Sequence, residues 1–252
     1  MAKVVNVNMD VVFNRGGRVF VISDLHGNIE DFSRWLKMVD FNDNDLCIIN
    51  GDVIDRGPYG FGLLNVVIDN PNFLFLMGNH EELMLSALEE RRENGPSAPQ
   101  GHKEYLWFRN GGDHTYEDMK NYPEWTREHI LDRVKNAPYV ARLMSACIQD
   151  IYVCHAGLTS AWLNEVQTGY LSKDEYGMSN ITWARHEWWN TPNDLGCMTI
   201  TGHTSSHHYN GVYGEPIYEN HKRRIVIDCN TIRSHKVGYV SIMPNSIKYG
   251  AY

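Results

Sequence analysis

The sequence predicts an α/β fold built on a parallel sheet, and three observations carry that expectation. Three times in succession an apolar run ends in a polar turn and is followed by apolar residues at helical spacing: Arg18–Ser23 into Asp24-Leu25-His26-Gly27, Leu46–Asn50 into Gly51-Asp52, and Phe73–Met77 into Gly78-Asn79-His80-Glu81. Each repeat takes about the thirty residues of a βαβ unit, so the three strand ends should lie side by side on one edge. The chain has 252 residues, 42% hydrophobic and 21% charged, which is ordinary for a globular protein able to bury a sizeable core.

Taken in order, Val4 to Phe13 holds enough β-branched residues for an opening strand, and Asn14-Arg15-Gly16-Gly17 is a turn. After the strand Arg18–Ser23, Asn28 is placed to cap a helix whose apolar face is Ile29, Phe32, Leu36 and Val39. Further helices are expected over Phe61–Ile68 and from Leu83 to Leu88. From Arg91 to Lys135 the character changes: Gly95 to Gly101 reads as a loop, Tyr105–Phe108 is a short apolar segment before Asn110-Gly111-Gly112, and Thr126–Val134 is helical. A helical insertion at about 91–137, covering the site, is therefore expected. The strand Asp150–Cys154 then ends in His155-Ala156-Gly157, and Met198–Thr201 in Gly202-His203-Thr204, with an aromatic-rich stretch between them. Arg224–Ile227 and Gly238–Met243 are expected to complete a second sheet. No low-complexity tract or linker divides the chain, so 1–252 reads as one domain.

The net charge of −8 and the single basic run, His221 to Arg224 leading into Ile225-Val226-Ile227, argue against nucleic-acid binding. The five cysteines are odd in number, form no C-x-x-C pair and fall mostly within apolar stretches, the pattern of reduced, buried thiols in a cytoplasmic protein. No signal-peptide core and no membrane-length apolar stretch occurs, so no membrane partner is expected.

The densest chemistry lies in Gly51-Asp52-Val53-Ile54-Asp55-Arg56-Gly57. Two carboxylates and an arginine at the end of a buried strand suggest a metal ion or a phosphate at the carboxyl edge of the sheet, against the alternative of an exposed Asp/Gly turn. Five strand ends together present Asp24, His26, Asp52, Asn79, His155 and His203. Carboxylate, imidazole and amide oxygen suit a borderline divalent ion such as manganese, iron or zinc, and six ligands suit two ions about 3.5–4 Å apart. Single histidines are ordinarily structural, and His102, His114, His129, His207, His208, His221 and His235 are read so.

Asp24-Leu25-His26-Gly27, the Gly51–Gly57 heptapeptide, Gly78-Asn79-His80-Glu81, His155-Ala156-Gly157 and Gly202-His203-Thr204 match, in order, the motifs of the phosphoprotein phosphatase family of calcineurin-like metallophosphatases. The segment Leu106 to Gly112 and the short C-terminal part resemble its compact bacterial and bacteriophage lambda-type branch. The resemblance implies a calcineurin-like βαβ sandwich of two mixed sheets flanked by helices. It implies that Asp24 and His26 bind one metal, that Asp52 bridges, and that Asn79, His155 and His203 bind the second. His80 is implied to be the general acid, held by Asp55, and Arg56 and Arg185 to grip the phosphate. Coordination lowers the pKa of water from about 15.7 to roughly 7, so direct attack by a metal-bound hydroxide requires no covalent phosphoenzyme.

The chain departs from the family pattern at Met77 and at 228–230. Many members have an arginine where Met77 stands, and the symmetrical diadenosine tetraphosphate hydrolases of the family also lack it there. Glu81 resembles the protein-phosphatase form, since those hydrolases usually carry aspartate. The family's Asp-Thr-Gly appears as Asp228-Cys229-Asn230. The expected activity is a phosphomonoesterase using two divalent ions, manganese above iron or zinc, on phosphoserine and phosphothreonine and conceivably phosphotyrosine in proteins, or on small phosphoesters. The alternative is symmetrical hydrolysis of dinucleoside polyphosphates. A metal-stabilised binding protein without catalysis is a third reading, opposed by the intact ligands, acid and arginines.

Overall fold

The computed structural model describes residues 3–95, 99–175 and 177–252. The first elements are β1 (Val4–Asn8), α1 (Met9–Asn14), β2 (Val19–Ile22), α2 (Ile29–Met38), β3 (Leu46–Asn50), α3 (Gly60–Val67), β4 (Phe73–Leu76) and α4 (Asn79–Asn94). Helices α5 (His102–Arg109), α6 (Gly112–Met119) and α7 (Glu124–Lys135) precede β5 (Val140–Met144), β6 (Ile151–Cys154), α8 (Ser160–Thr168), α9 (Asn180–Trp183), α10 (His186–Asn190) and β7 (Met198–Thr201). Then come α11 (His207–Asn210), β8 (Ile217–Glu219), β9 (Arg224–Val226), α12 (Thr231–Ser234), β10 (Gly238–Met243) and β11 (Ser246–Ala251).

Two mixed sheets result. One has the order β11-β10-β2-β3-β4, the other β1-β5-β6-β7-β9-β8. β2, β3 and β4 are parallel, with Val19 opposite Leu46 and Cys47 opposite Phe73, so the three turns that follow them lie together. In the other sheet β6, β7 and β9 are parallel, which brings the ends after Cys154 and Thr201 side by side. Alternate residues of each central strand serve different cores. Val19, Val21 and Ile48 join Leu143, Val153, Ile200 and Ile225 in an apolar cluster shared by both sheets. Phe20, Ile22, Cys47 and Ile49 join Phe32 and Trp35 of α2 and Phe61 and Leu64 of α3. Strands apolar on both faces are what a sheet sandwiched between a second sheet and helices requires.

Most of the expected elements form, including α2, where the Asn28 side chain accepts from the Asp31 N–H at 3.2 Å. Four expectations need correction. The opening strand stops at Asn8 rather than Phe13, because the Asn8 side chain caps a helix by accepting from Asp10 N–H at 3.0 Å; Met9 and Val12 are buried on one face of that helix while Val11 is exposed. The two closing strands do not share a sheet: β9 pairs with β7, and β10 pairs antiparallel with β2. Apolar runs of that kind declare a strand and leave its partner open. Strands β5, β8 and β11 went unpredicted, β5 because Ala141 and Arg142 interrupt its apolar run. Cys147 is exposed, whereas the other four free cysteines are buried. Of the expected loop over Gly95 to Gly101, Pro96, Ser97 and Ala98 lie outside the described residues. No helix among the described residues is long and apolar enough to cross a membrane.

Trp35 ties α2 to the sheet: it is fully buried, meets the Phe20 ring edge-on at 5.5 Å and lies 6.0 Å from the Tyr239 ring of β10. Replacing it with alanine removes those contacts and leaves a cavity. Trp35→Ala is expected to lower the unfolding free energy by about 3–5 kcal/mol in a urea titration.

Candidate active site

The turns that follow β2 and β3 are locked to one another by main-chain bonds. His26 N–H donates to Asp52 C=O at 2.9 Å, Gly27 N–H to Val53 C=O at 2.7 Å, and Gly57 N–H to His26 C=O at 3.0 Å. Glu81, at the start of α4, closes the arrangement: its buried carboxylate accepts from the backbone N–H groups of Asp52 (3.0 Å), Val53 (2.9 Å), Ile54 (3.4 Å) and Gly78 (3.1 Å). Burial and the neighbouring Asp52 carboxylate push Glu81 up to about 7. Asn50 joins this edge to the other sheet. Its side-chain N–H donates to Cys154 C=O at 2.9 Å, and its carbonyl lies 2.8 Å from His155 Nδ1.

So tight a convergence is reached with unusual backbone. Of the ten non-glycine residues with positive φ among the described residues, six are Asp24, His26, Asp52, Asp55, Arg56 and His203. Such conformations are costly outside glycine and survive where surrounding structure dictates them. At Gly51 even that is not enough: φ is +74°, and a Cβ there would stand 2.5 Å from Gly78 Cα and 2.7 Å from His155 Nδ1.

Ligand-type atoms gather in two groups, His26 with Asp52 and His80, and Asp52 with His155 and His203, the atoms of each within 4.8 Å of one another. Asn79 Oδ1 belongs with the second, 2.9 Å from His155 Nε2 and 2.8 Å from His203 Nδ1. Main-chain carbonyls select the tautomers. His26 Nδ1 faces Ile54 C=O at 2.9 Å and His155 Nδ1 faces Asn50 C=O, so in the neutral rings the Nε2 lone pairs are directed inward.

The charge balance of the group calls for a cation. Asp24, Asp52 and Asp228 are all buried. Burial, then Asp228, holds the Asp24 carboxyl well above its ordinary value. Burial disfavours a charged His155, yet Asp52 and Asp24 draw a proton to it and hold it up at about 10. His203 Nε2 is buried without a hydrogen-bond partner. Crowded acceptors with nitrogen and oxygen donors fit a borderline divalent ion.

Asp24 is the expected ligand that stands apart from both groups. Its carboxylate accepts from His203 N–H at 3.1 and 3.2 Å and from the Ser23 hydroxyl, at the 202–203 turn.

Within the first group, His80 Nδ1 is 2.7 Å from Asp55, directing Nε2 at the Arg56 guanidinium, 3.0 Å away. The other Arg56 nitrogen lies 2.7 Å from His26 Nε2. Asp55 also accepts from Trp107 Nε1 at 3.0 Å and from the Thr115 hydroxyl at 2.7 Å, while Thr115 Oγ1 accepts from Asp55 N–H at 2.8 Å. Burial raises the Asp55 pKa and the His80 hydrogen bond opposes it. Arg185 is exposed at the rim, where its charge, after burial and His155, helps hold the His203 imidazole well below its ordinary value. Trp183 is half-buried, its ring 5.7 Å from that of His203, packed against the core as cover.

A family model for calcineurin-like phosphoesterases matches residues 17–237. The chain belongs to the calcineurin-like phosphoesterase family. Over 123 residues it is 28% identical to the serine/threonine-protein phosphatase 2 of Salmonella typhimurium, a match covering 48% of this chain and 50% of that protein. Over 145 residues it is 26% identical to the symmetrical bis(5′-nucleosyl)-tetraphosphatase of Legionella pneumophila (strain Lens), covering 57% of this chain and 45% of that protein. The chain thus spans about half the length of these two relatives. A crystal structure of a protein proposed to be a diadenosine tetraphosphatase superposes with a TM-score of 0.60 at 18% identity, covering 100% of this chain and 98% of that one, which supports the shared fold. Calcineurin-like phosphoesterases use a dinuclear metal site, and the two groups around Asp52 are the part of this chain that fits one.

Some of the surroundings in this calcineurin-like phosphoesterase escaped the sequence. Asp228 was visible as a motif residue without an assigned part, and its charge bears on Asp24 and Asp52. Asn230 takes the position of the family glycine with φ +56°, a conformation asparagine tolerates better than most residues. Thr115 is 60 residues from Asp55, and nothing local marks it. None of the histidines read as structural falls in either group among the described residues.

If these groups bind metal, chelator-stripped protein should gain about 2.7 kcal/mol in unfolding free energy when manganese is added at a hundred times its dissociation constant. Asp52→Asn should abolish most of that gain, and a wild-type protein with no gain would count against the site.

Proposed function

We propose that the protein is a two-metal phosphomonoesterase that hydrolyses phosphoserine and phosphothreonine, and phosphotyrosine, in proteins. The observation carrying this reading is the Asp55–His80–Arg56 arrangement, which sets an imidazole held at Nδ1 by a buried carboxylate next to an exposed guanidinium among the ligand-type residues. In the roles proposed, Asp24 and His26 hold one ion, Asn79, His155 and His203 the other, and Asp52 both. Manganese is the ion we infer, with iron and zinc suiting the same donors. Two such ions supply Lewis-acid stabilisation of the phosphoryl group and bring the pKa of water toward neutrality.

The chain's own residues do the rest. Arg56 and Arg185 bind the phosphate oxygens, for which guanidinium geometry is suited. Arg56 would exchange its contacts with His26 and His80 for the phosphate, leaving His80 Nε2 turned to the leaving oxygen. Once freed of Arg56, Nε2 can take up a proton from solvent and pass it to the leaving oxygen, while Asp55, fixed by Trp107 and Thr115, holds the ring in orientation and stabilises its charged form. The four buried free cysteines support a cytoplasmic location.

Both substrate clues in the sequence lie away from this arrangement. Met77 is buried and lines a cleft of about 680 Å³ together with Glu82, Tyr139 and Lys173, none of them a proposed ligand. Glu81 is occupied with four backbone N–H groups. Preference for a protein substrate therefore leans on the serine/threonine phosphatase relative. The Legionella relative supports the second reading, symmetrical cleavage of dinucleoside polyphosphates.

A parallel assay of manganese-loaded protein on a phosphoserine peptide and on diadenosine tetraphosphate separates them. Faster phosphate release from the peptide is expected; preferential formation of two nucleoside diphosphates would replace the first reading by the second. His80→Asn is expected to lower turnover about 10²–10⁴-fold with the fold intact. Undiminished turnover in that variant would remove His80 from the proton-transfer role.

A further inference from the structure

One buried acid in α4 has no part in the chemistry above. Glu82 is 2% exposed, and its carboxylate collects four side chains and a backbone N–H. Oε1 accepts from the Tyr139 hydroxyl at 2.7 Å and pairs with Lys173 Nζ at 2.7 Å. Oε2 accepts from the Thr182 hydroxyl at 2.5 Å, from Ser179 N–H at 3.2 Å and from the Ser179 hydroxyl at 3.4 Å. A carboxylate is expensive to bury unless it is satisfied in this way, so the partners are held as firmly as the acid.

Two of those partners belong to α9 and the residue before it. That helix has four residues, too few to keep its own shape without tertiary support. Its other side is held by the His155 turn: Ile181 C=O accepts from Ala156 N–H at 2.8 Å and from Gly157 N–H at 3.3 Å. α9 is thereby fastened between the helix that carries Asn79 and His80 and the turn that carries His155. Arg185 leaves it two residues after Trp183 and reaches the rim near His203.

We propose that Glu82 is a positioning residue for Arg185, fixing α9 to α4 so that the guanidinium stands in register with the groups around Asp52. The proposal rests on the phosphate-binding part given to Arg185 above. Displacement of a binding group by about 1 Å is enough to cost on the order of a hundredfold in rate. The Glu82 contacts therefore matter to catalysis although none of them reaches the substrate.

The test uses the full, manganese-loaded chain with p-nitrophenyl phosphate as substrate and inorganic phosphate as competitive inhibitor. Glu82→Gln and Thr182→Val are each made alone and together with Arg185→Ala, and thermal unfolding is recorded for every variant. Alone, each should lower kcat/KM about tenfold or more and weaken phosphate inhibition in parallel; in the Arg185→Ala background each should change kcat/KM less than about twofold. Thr182→Ser, which keeps the hydroxyl, should restore most of the loss. If Glu82→Gln does not fold, the Thr182→Val and Thr182→Ser pair carries the test. Equal losses in both backgrounds, or no loss in either, beside a damaging Arg185→Ala, overturn the proposal alone. A silent Arg185→Ala overturns the part given to Arg185 and the proposal with it.

Discussion

Buried negative charge is the constraint on which this structure turns. Asp24, Asp52, Asp55, Glu81, Glu82 and Asp228 are all buried at or near the convergence of the strand ends. In a low-dielectric interior each must be met by donors or by positive charge. The chain meets them in different ways. Glu81 spends its carboxylate on backbone N–H groups, Asp55 on an imidazole, an indole and a hydroxyl, and Glu82 on α9, Tyr139 and Lys173. Asp24, met by the Ser23 hydroxyl and a main-chain N–H, and Asp52, met by histidines and main chain, are met less completely, and it is there that cations are called for. Acids with full sets of partners thus surround a centre whose charge is left for an ion to balance.

The backbone follows from the same demand. Bringing the Asp24, Asp52 and Asn79 turns close enough to share one centre leaves no room for a side chain at Gly51 and forces six site residues into left-handed conformations. The Glu81 clamp and the ladder of bonds between the turns hold this geometry from behind. The rigidity of the edge is therefore a property of the main chain and of the Glu81 carboxylate that its N–H groups share.

Much of this was legible in the sequence, and the reason is local. A strand that ends in Asp-x-His-Gly or Gly-Asn-His-Glu carries its own signature within a few residues, and parallel pairing of successive βαβ units follows from connection length. What could not be read depends on partners distant along the chain. Nothing in Arg224–Val226 or Gly238–Met243 says which sheet each joins. Asn8 reads as a strand residue until its side chain is seen capping a helix. Thr115 and Trp107 earn their importance only from Asp55, and Glu81, which seemed to speak about substrate, speaks about a turn. Met77 is similar: its motif neighbours stand among the ligand-type residues while it lines a separate cleft.

Two of the three side chains that meet Asp55, Trp107 and Thr115, come from α5 and α6, helices outside both sheets, whereas His80 and every proposed metal ligand come from the sheet edges or the start of α4. The outer supports of Asp55 are therefore built on a different part of the chain from the turns that carry the proposed ligands and the His80–Asp55 pair itself. Exchanging the 102–119 segment would leave the strand-end turns whole while Asp55 lost two of its donors, so a graft from a related scaffold has to bring an indole and a hydroxyl in matching register. Substitutions in α5 and α6 can thus change how the Asp55 carboxylate is held without touching the main-chain bonds that join the strand-end turns.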